Sequence, residues 1–177
     1  TQPSDRSTLG CIGVGSRGRS VMGGFLGQDT CGVTAVCDVN AHQLAVAKRK
    51  VDRSNGNKAC KTFKDFRELL ARDDIDTVLI ATPDHWHVMT ALAAARAGKD
   101  IYLEKPIGVS MTEAWTLRDA VKRYQSVFQF GTQQRSDSRF RLACQLVRNG
   151  RIGAIREVNV WSPGSGSGGS TELTAPP

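Results

Sequence analysis

The chain has 177 residues, of which 40% are hydrophobic and 23% are charged, and its net charge is +7. These values are ordinary for a soluble globular protein with room for one complete domain and part of another. The most apolar segment, residues 91–97, is interrupted by Arg96 and falls short of the ~18 residues that a membrane span needs. We therefore expect no membrane partner.

The excess positive charge does not by itself predict a nucleic-acid partner, and we expect none. The one dense basic run, Lys48-Arg-Lys50, falls at the end of a predicted helix, where cations suit the helix dipole. A nucleic-acid-binding face needs a larger cluster. No two cysteines form a CxxC pair, and we expect all five to be reduced and structural: Cys11, Cys31, Cys37, Cys60 and Cys144. Free thiols favour a reducing compartment.

Short apolar runs alternate with amphipathic segments from residue 8 to about residue 130. The apolar runs predict buried strands at residues 8–15, 33–37, near 60, 77–81, 100–103 and 127–130. Apolar residues at helical spacing predict helices at residues 16–28, 41–52, 65–71, 85–97 and behind the capping box Ser110-Met-Thr-Glu113. This order predicts parallel strands joined by right-handed crossovers, that is, a doubly wound α/β sheet of the Rossmann type.

Particular residues mark the ends of these elements. Residues 54–57, Ser-Asn-Gly-Asn, predict a turn. Pro83 and Asp84 are expected to open the helix at residues 85–97, with Asp84 as its cap. Because that helix is apolar nearly all round, we expect it to be buried, and Gly98 is expected to end it in a left-handed conformation.

The end of the chain has a different pattern. We predict a helix over residues 135–149 and a strand over residues 152–161. The glycine- and serine-rich residues 162–170 follow and indicate a natural loop or an engineered tail. Since one strand and a loop cannot form a domain, we predict a dinucleotide-binding domain over residues 1–130. Residues 131–177 are predicted to be the connecting helix and first strand of a truncated second domain.

The glycine loop Gly-Val-Gly-Ser-Arg-Gly matches the GxGxxG pattern of dinucleotide-binding loops, and it lies between a predicted strand and a predicted helix. Gly13 permits a tight turn, Gly15 lets a pyrophosphate approach the backbone, and Gly18 lets helix and strand pack closely. Free N–H groups at the start of the helix, from Ser16 onward, would hold the phosphates. Arg17 adds a cation within reach of a phosphate.

Asp38 ends the second predicted strand, about 20 positions after the loop, where such domains place a carboxylate on the adenosine ribose hydroxyls. A 2′-phosphate there would face a like charge, at a cost of up to about 4 kcal/mol for ~4 Å and a dielectric constant of ~20. NAD is therefore favoured over NADP, although Arg17 offers a 2′-phosphate a partner. A Rossmann-like domain for another nucleotide, such as S-adenosylmethionine, is the structural alternative.

Two further predicted strand ends carry polar residues, at 81–87 (Ala-Thr-Pro-Asp-His-Trp-His) and 103–106 (Leu-Glu-Lys-Pro). Ligands of such sheets bind beyond the carboxyl ends of the strands. His85 and His87 would point about 200° apart on a helix, so we expect no metal site. His85 is interpreted as a capping or ribose-binding residue, and Trp86 as a stacking or core residue.

Lys105 is the strongest catalytic candidate. It follows a strand, is fixed by Pro106 and stands next to Glu104, so its amine could hydrogen-bond a substrate hydroxyl. Burial and cationic neighbours would lower the pKa of that amine toward the range that is useful for proton transfer. The alternative interpretation is an ordinary solvated lysine.

Taken together, these segments resemble the Gfo/Idh/MocA oxidoreductases, a family named after glucose–fructose oxidoreductase and inositol dehydrogenase. The resemblance spans roughly residues 8–161, and Glu-Lys-Pro after the fifth strand is its specific motif. It is carried by residues 13–18, 81–87, 97–106, 130–135 and 149–153.

The resemblance implies hydride transfer between the nicotinamide of NAD and a hydroxyl or carbonyl carbon of a sugar, sugar derivative or polyol. It implies a second α+β domain whose sheet binds substrate and mediates dimers or tetramers. Lys105 would hold the substrate and assist proton transfer. The implied cofactor-contacting residues outside the glycine loop and Asp38 are Thr82, Pro83, His85, Glu104, Lys105, Pro106, Gln134 and Arg135.

The sequence departs from the family pattern in one respect. The resemblance implies a further catalytic histidine and acidic residue in the second domain, whereas His42, His85 and His87 all lie in the Rossmann part. We therefore expect this chain to bind cofactor and to turn over poorly by itself. A non-catalytic NAD-binding sensor or assembly module stays open, as do an S-adenosylmethionine-dependent transferase and chemistry with retained NAD, including glycoside cleavage. Cytoplasmic residence is expected, with periplasmic residence after removal of an export signal as the alternative.

Overall fold

A parallel sheet of six strands organises the computed structural model, which describes residues 6–160. The strands are β1 (Ser7–Ile12), β2 (Cys31–Cys37), β3 (Lys61–Phe63), β4 (Thr77–Ile80), β5 (Asp100–Glu104) and β6 (Phe128–Gly131). Their order across the sheet is β3-β2-β1-β4-β5-β6, and each neighbouring pair is parallel. The order reverses between β1 and β4, and ligands of such sheets bind at that switch point. The predicted doubly wound α/β fold is confirmed.

Within residues 6–160, six α-helices and two 3₁₀ turns connect and follow the strands. The helices are α1 (Ser16–Leu26), α2 (Ala41–Asn55), α3 (Phe66–Leu70), α4 (His87–Arg96), α5 (Met111–Tyr124) and α6 (Ser138–Arg148). The 3₁₀ turns cover Asp84–Trp86 and Gln133–Ser136. The chain divides into two compact units between Gln133 and Gln134. In the second unit, the side chain of Asp137 caps α6 by accepting a hydrogen bond from the amide of Arg139.

The sheet buries both of its faces because successive side chains of a strand point to opposite sides. In β1, Leu9 packs in one apolar cluster with Met22 of α1, and Ile12 packs in the other with Ala91 of α4. Strands buried on both faces read as continuous apolar runs. This is why short unbroken runs identified the strands in the sequence.

Short polar side chains begin the longer helices. Asn40 accepts hydrogen bonds from two amides at the start of α2, and Ser110 accepts one from the amide of Glu113 at 3.2 Å. The carboxylate of Glu113 reaches back to the amide of Val109 at 2.7 Å, so the predicted capping box forms with its return bond one residue earlier. Gly98 has φ +70°, which confirms the predicted left-handed helix end.

The strand predicted at residues 152–161 is wrong. Residues 151–160 contain no strand, and the β-branched Ile155 and Val158 are exposed. β-branched residues favour a strand only where a neighbouring strand takes the backbone hydrogen bonds, and this part of the second unit has none among the described residues. Trp161 and the glycine- and serine-rich residues 162–170 lie outside the described residues.

Helix α2 is longer than predicted, so the basic run at Lys48 lies inside it and not at its end. Lys48 pairs with Asp52 one turn later at 2.7 Å, and the Asn55 side chain donates to the Val33 carbonyl of β2 at 2.9 Å. These contacts hold the last turn on the sheet. The turn predicted at residues 54–57 therefore begins only at Gly56, which has φ +67°.

The helix predicted at residues 85–97 also differs in detail. A 3₁₀ turn comes first, closed by the Trp86 amide on the Pro83 carbonyl at 2.8 Å, and α4 starts at His87. The Asp84 side chain makes no capping bond, contrary to expectation. Met89 is exposed, so the helix is buried along most of its surface but not all round.

All five cysteines are free thiols, as predicted. Cys11, Cys37 and Cys60 are buried, Cys31 is partly buried, and Cys144 is exposed on α6. No helix within residues 6–160 is long and apolar enough to cross a membrane.

Candidate cofactor-binding and active site

The glycine loop packs directly against the end of β4. Gly13 has φ +79°, and a Cβ atom there would lie 2.6 Å from the backbone nitrogen of Thr82. A Cβ atom on Gly18 would lie 2.0 Å from the Gly13 carbonyl oxygen. Any side chain at either position would push helix α1 or the end of β4 away from the loop. The two glycines therefore have the turn and packing roles that the motif predicted.

Gly15 faces open space at the start of α1. A Cβ atom added there would meet nothing within 4 Å. Gly15 occupies the cap position without a side-chain bond, and the first turn holds no acidic residue. The first-turn amides, including those of Ser16 and Arg17, have no intrahelical acceptor and carry the positive end of the helix dipole. The loop therefore fits an anionic group such as a diphosphate.

Asp38 is anchored by backbone amides on both carboxylate oxygens. Its Oδ2 accepts from the Val14 amide of the glycine loop at 2.8 Å, and its Oδ1 accepts from the Asn40 amide at 2.9 Å. Each carboxylate oxygen keeps a further acceptor position. The negative charge thus stands beside the loop, oriented to accept hydrogen bonds from a neutral diol and opposed to a second anion.

A cavity of about 280 Å³ opens between Asp38 and the end of β4. Two aromatic rings contribute to its wall, Phe66 and Trp86, which meet edge to face with centroids 6.4 Å apart. Thr82 and Thr90 also line it, and their buried hydroxyls have no hydrogen-bond partner among the described residues. Apolar walls with a few unpaired polar groups are typical of small-molecule sites, and these groups fit the adenosine half of a dinucleotide. Trp86 was interpreted from the sequence as a stacking residue or a core residue. In the structure its ring forms part of the cavity wall.

Arg17, which is expected from the sequence to lie within reach of a phosphate, pairs with a carboxylate of β5 in this structure. Its Nη2 atom lies 2.6 Å from Oε1 of Glu104, whose side chain is only 3% exposed. The hydrogen bond to Glu104 raises the pKa of the Arg17 guanidinium. Burial raises the pKa of Tyr102, two residues earlier in β5, and the negative charge of Glu104 raises it further. The ion pair therefore joins the start of α1 to the end of β5, and it could not be read from either motif alone.

Lys105 follows directly and is exposed, so the burial expected at this position is absent. Its backbone amide donates to Oε2 of Glu104 at 3.2 Å. Within residues 6–160 its amine makes no hydrogen bond or ion pair, and it stands open to a ligand. The bond between Lys105 and Pro106 is cis.

His87 is the residue at this site that the sequence interpretation missed. It is 1% exposed, and its two ring nitrogens face two carbonyl oxygens, those of Thr82 and Pro106. A buried histidine at the start of an otherwise apolar helix needs polar partners. The sequence could therefore have indicated that His87 has polar partners. It could not have shown which residues they are.

The remaining candidate residues are more scattered. Pro83 lines the cavity, whereas His85 is exposed, with its ring tilted against Trp86. Gln134 and Arg135 belong to the second unit and are exposed. Across residues 6–160 no cluster of three or more histidine, cysteine or acidic residues could hold a metal ion.

Comparison with known proteins decides the family. The model of the oxidoreductase family Gfo/Idh/MocA, described as an NAD-binding Rossmann fold, matches residues 8–132. The chain belongs to the Gfo/Idh/MocA oxidoreductase family. Its first unit is therefore an NAD-binding Rossmann domain, and the resemblance seen in the sequence is confirmed.

Solved structures of this family share the fold. The chain is 27% identical to scyllo-inositol dehydrogenase from Lactobacillus casei, solved with bound NAD(H) and scyllo-inositol, with a TM-score of 0.72 over 84% of this chain and 42% of that one. It is 26% identical to myo-inositol 2-dehydrogenase from Lactobacillus plantarum, with a TM-score of 0.74 over 85% of this chain and 43% of that one.

Sequence relatives carry a different name. A glycosyl hydrolase family 109 protein of Saccharopolyspora erythraea is 36% identical over 151 residues, which are 83% of this chain and 33% of that protein. Glycosyl hydrolase family 109 protein 2 of Shewanella sp. (strain ANA-3) is 36% identical over 124 residues, 68% of this chain and 27% of that protein. The chain thus spans about a third or less of these relatives.

Proposed function

We propose that this chain is the cofactor domain of an NAD-dependent oxidoreductase that acts on a hydroxyl or carbonyl group of a sugar, sugar derivative or polyol. The observation that carries the proposal is the meeting of three segments at the carboxyl edge of the sheet. The glycine loop after β1, Thr82 after β4 and Glu104 at the end of β5 lie in one contact network. The inositol dehydrogenase neighbours support the polyol class of substrate.

In this proposal the dinucleotide lies across that edge of the sheet. The first-turn amides beyond Gly15 hold the diphosphate, and Asp38 accepts the ribose hydroxyls. The cavity with Phe66 and Trp86 takes the adenine. Glu104, Lys105 and Pro106 stand by the nicotinamide, with Thr82, Pro83 and His85 between the two halves, and Gln134 and Arg135 complete the proposed set.

When bound, NAD supplies the hydride acceptor. Lys105 is then positioned to hold the substrate hydroxyl and to take up its proton as the carbonyl forms. Because its amine has no partner within residues 6–160, it can make this hydrogen bond without breaking another there. Glu104 does not compete for the amine, since its carboxylate is engaged by Arg17 and by the Lys105 amide. We place proton transfer at Lys105 Nζ and orientation of its backbone at Glu104.

Replacing Lys105 tests this role directly. In the longest form of the protein that its gene encodes, Lys105→Met should abolish oxidation of myo- or scyllo-inositol with NAD while leaving NADH affinity nearly unchanged. Removal of a positioned acid–base group costs about 10²–10⁴-fold in rate. Lys122→Met, at an exposed position on α5, serves as the control and should retain the rate. A Lys105→Met protein with normal turnover would contradict the assignment.

A second candidate follows from the relatives named as family 109 glycosyl hydrolases. Transient oxidation of a sugar hydroxyl acidifies the neighbouring C–H bond and permits loss of the glycosidic oxygen. Addition of water and return of the hydride leave NAD unchanged, so the net reaction is hydrolysis. Release of a chromophoric leaving group from a glycoside without added or consumed NAD would favour this candidate. Stoichiometric NADH formation from a polyol would favour the first.

The proposal also covers the role of the second unit and the oligomeric state of the protein. We infer that residues 131–177 begin a domain that binds substrate and supplies the remaining catalytic groups, and that the longest form is a dimer or tetramer. We place it in the cytoplasm, with the periplasm as the alternative. Mass measurement by light scattering tests the assembly, and cell fractionation tests the compartment. If the protein binds NADH but turns over neither polyol nor glycoside, a non-catalytic NAD-binding module becomes the better account.

A further inference from the structure

His87 occupies an unusual place between two strand ends. It begins α4, its side chain is 1% exposed, and it is the only histidine of the described chain that is buried. Its Nε2 atom lies 2.9 Å from the carbonyl oxygen of Thr82, which follows β4. Its Nδ1 atom is hydrogen-bonded to the carbonyl oxygen of Pro106, which follows β5.

These two contacts join segments that no other side chain connects in this way among residues 6–160. A carbonyl oxygen only accepts hydrogen bonds, so a ring nitrogen bonds to one only as an N–H donor. The ring thus spans the gap between the two strand ends and sets the distance between their backbones.

The contact to Pro106 bears on Lys105. The backbone around Lys105 is held on one side by the Glu104 carboxylate, which accepts its amide at 3.2 Å, and on the other by His87 through the Pro106 carbonyl. The exposed amine of Lys105 has no partner of its own among the described residues. Its location therefore depends on how firmly these two contacts hold the backbone.

We propose that His87 is a positioning residue: its Nδ1–H bond to Pro106 holds the backbone that places Lys105, while its Nε2 contact keeps that segment against the Thr82 end of β4. This inference rests on the proposed role of Lys105. It makes the two ring nitrogens unequal, because only the Nδ1 contact acts on the segment that carries Lys105.

Two substitutions separate the contacts. The amide nitrogen of asparagine is two bonds from Cβ, as Nδ1 is, so His87→Asn can keep the bond to Pro106. The amide nitrogen of glutamine is three bonds from Cβ, as Nε2 is, so His87→Gln can keep the bond to Thr82. Both are measured in the 177-residue chain by hydrogen exchange and in the longest form of the protein by steady-state kinetics.

His87→Gln should speed exchange of the Lys105 amide, which donates to Glu104, by about five- to tenfold, the effect of one lost hydrogen bond. It should lower kcat by about 100-fold, as expected for a reacting group displaced by ~1 Å, with KM little changed. His87→Asn should keep slow exchange there and most of kcat.

Equal losses in both variants would overturn the proposal, because they would assign His87 to packing alone. Unchanged exchange and kcat in His87→Gln would overturn it as well. A failure of the proposed function looks different: the unsubstituted protein would then show no turnover, while the exchange difference between the two variants would still appear.

Discussion

The guanidinium of Arg17 lies 2.6 Å from the carboxylate of Glu104, and the pair links the helix of the glycine loop to the strand that precedes Lys105. The two residues are 87 positions apart in the chain. In consequence, the group proposed to hold the diphosphate and the group proposed to carry out proton transfer share one rigid connection. A substitution of Arg17 or of Glu104 should therefore affect both the glycine loop and the segment that carries Lys105.

Replacing Arg17 and replacing Glu104 should lower the free energy of unfolding by different amounts. Arg17→Met leaves the buried Glu104 carboxylate unpaired and should lower the free energy of unfolding by about 2 kcal/mol. This is less than for a fully buried pair because Arg17 is 43% exposed. Glu104→Gln removes the buried charge and keeps one oxygen for either Arg17 or the Lys105 amide, so it should cost less, about 1 kcal/mol. Urea denaturation of both variants and the double variant measures the coupling. Equal losses from the two single changes would contradict this account.

Two alanine substitutions in the glycine loop should separate folding from binding. Gly18→Ala puts a methyl group 2.0 Å from the Gly13 carbonyl, and overpacking of this kind costs about 1–3 kcal/mol. Gly15→Ala meets no protein atom within 4 Å, so thermal unfolding should be unchanged. Its methyl group occupies the space proposed for the diphosphate, and NADH affinity should fall at least tenfold, or about 1.4 kcal/mol. A Gly15→Ala protein that binds NADH normally would show that the diphosphate lies elsewhere.

Asp38 should govern the choice between NADH and NADPH. Asp38→Asn removes the charge that repels a 2′-phosphate, so the ratio of NADPH to NADH affinity should rise by about tenfold or more. Asparagine keeps only one oxygen for the Val14 and Asn40 amides, so one of these two contacts is also lost, and the affinity for NADH itself should fall. Calorimetric titration measures both. Asn40→Ala is the matched control: it removes the cap of α2, at about 1 kcal/mol of stability, and should leave the preference unchanged.

The thiols should differ sharply in reactivity. Burial raises the pKa of Cys37 to about 12 and raises that of Cys11 further, so neither forms an accessible thiolate at pH 8. Cys144 is exposed and should react rapidly with a chromogenic disulfide reagent in the folded chain. Cys144→Ser should abolish the fast phase, whereas Cys37→Ala should retain it. Because Cys31 is only partly buried, the decisive variant is Cys31→Ala/Cys144→Ser, in which a surviving fast phase would contradict the burial of Cys11, Cys37 and Cys60.

The fold was accessible from the sequence because its signals are local. Unbroken apolar runs mark strands that are buried on both faces, and the loop glycines mark a turn that no other residue fits. Asp38 and Glu104 could be placed at the carboxyl edge of the sheet because parallel strands end there. The extra turn of α2 was not predicted, since it depends on the contact of Asn55 with a strand 22 positions away.

The connections within the site were not accessible in the same way. Arg17 and Glu104 each belong to a recognisable motif, but only the folded chain shows that they pair. His87 lies 19 positions from Pro106, and nothing in the spacing indicates that a histidine bridges two carbonyl groups. The strand expected at residues 152–161 failed for the same reason, because strand formation depends on a partner that local pattern does not reveal.

The most direct test of the central claim is a titration of the 177-residue chain with NADH and, separately, with NADPH, followed by nicotinamide fluorescence. Circular dichroism first establishes that the chain and its Gly15→Ala variant are folded. We expect saturable binding of NADH, weaker binding of NADPH, and loss of NADH binding in Gly15→Ala. A folded chain that binds neither cofactor, or one whose NADH affinity does not respond to Gly15→Ala, would contradict binding of NADH at the glycine loop.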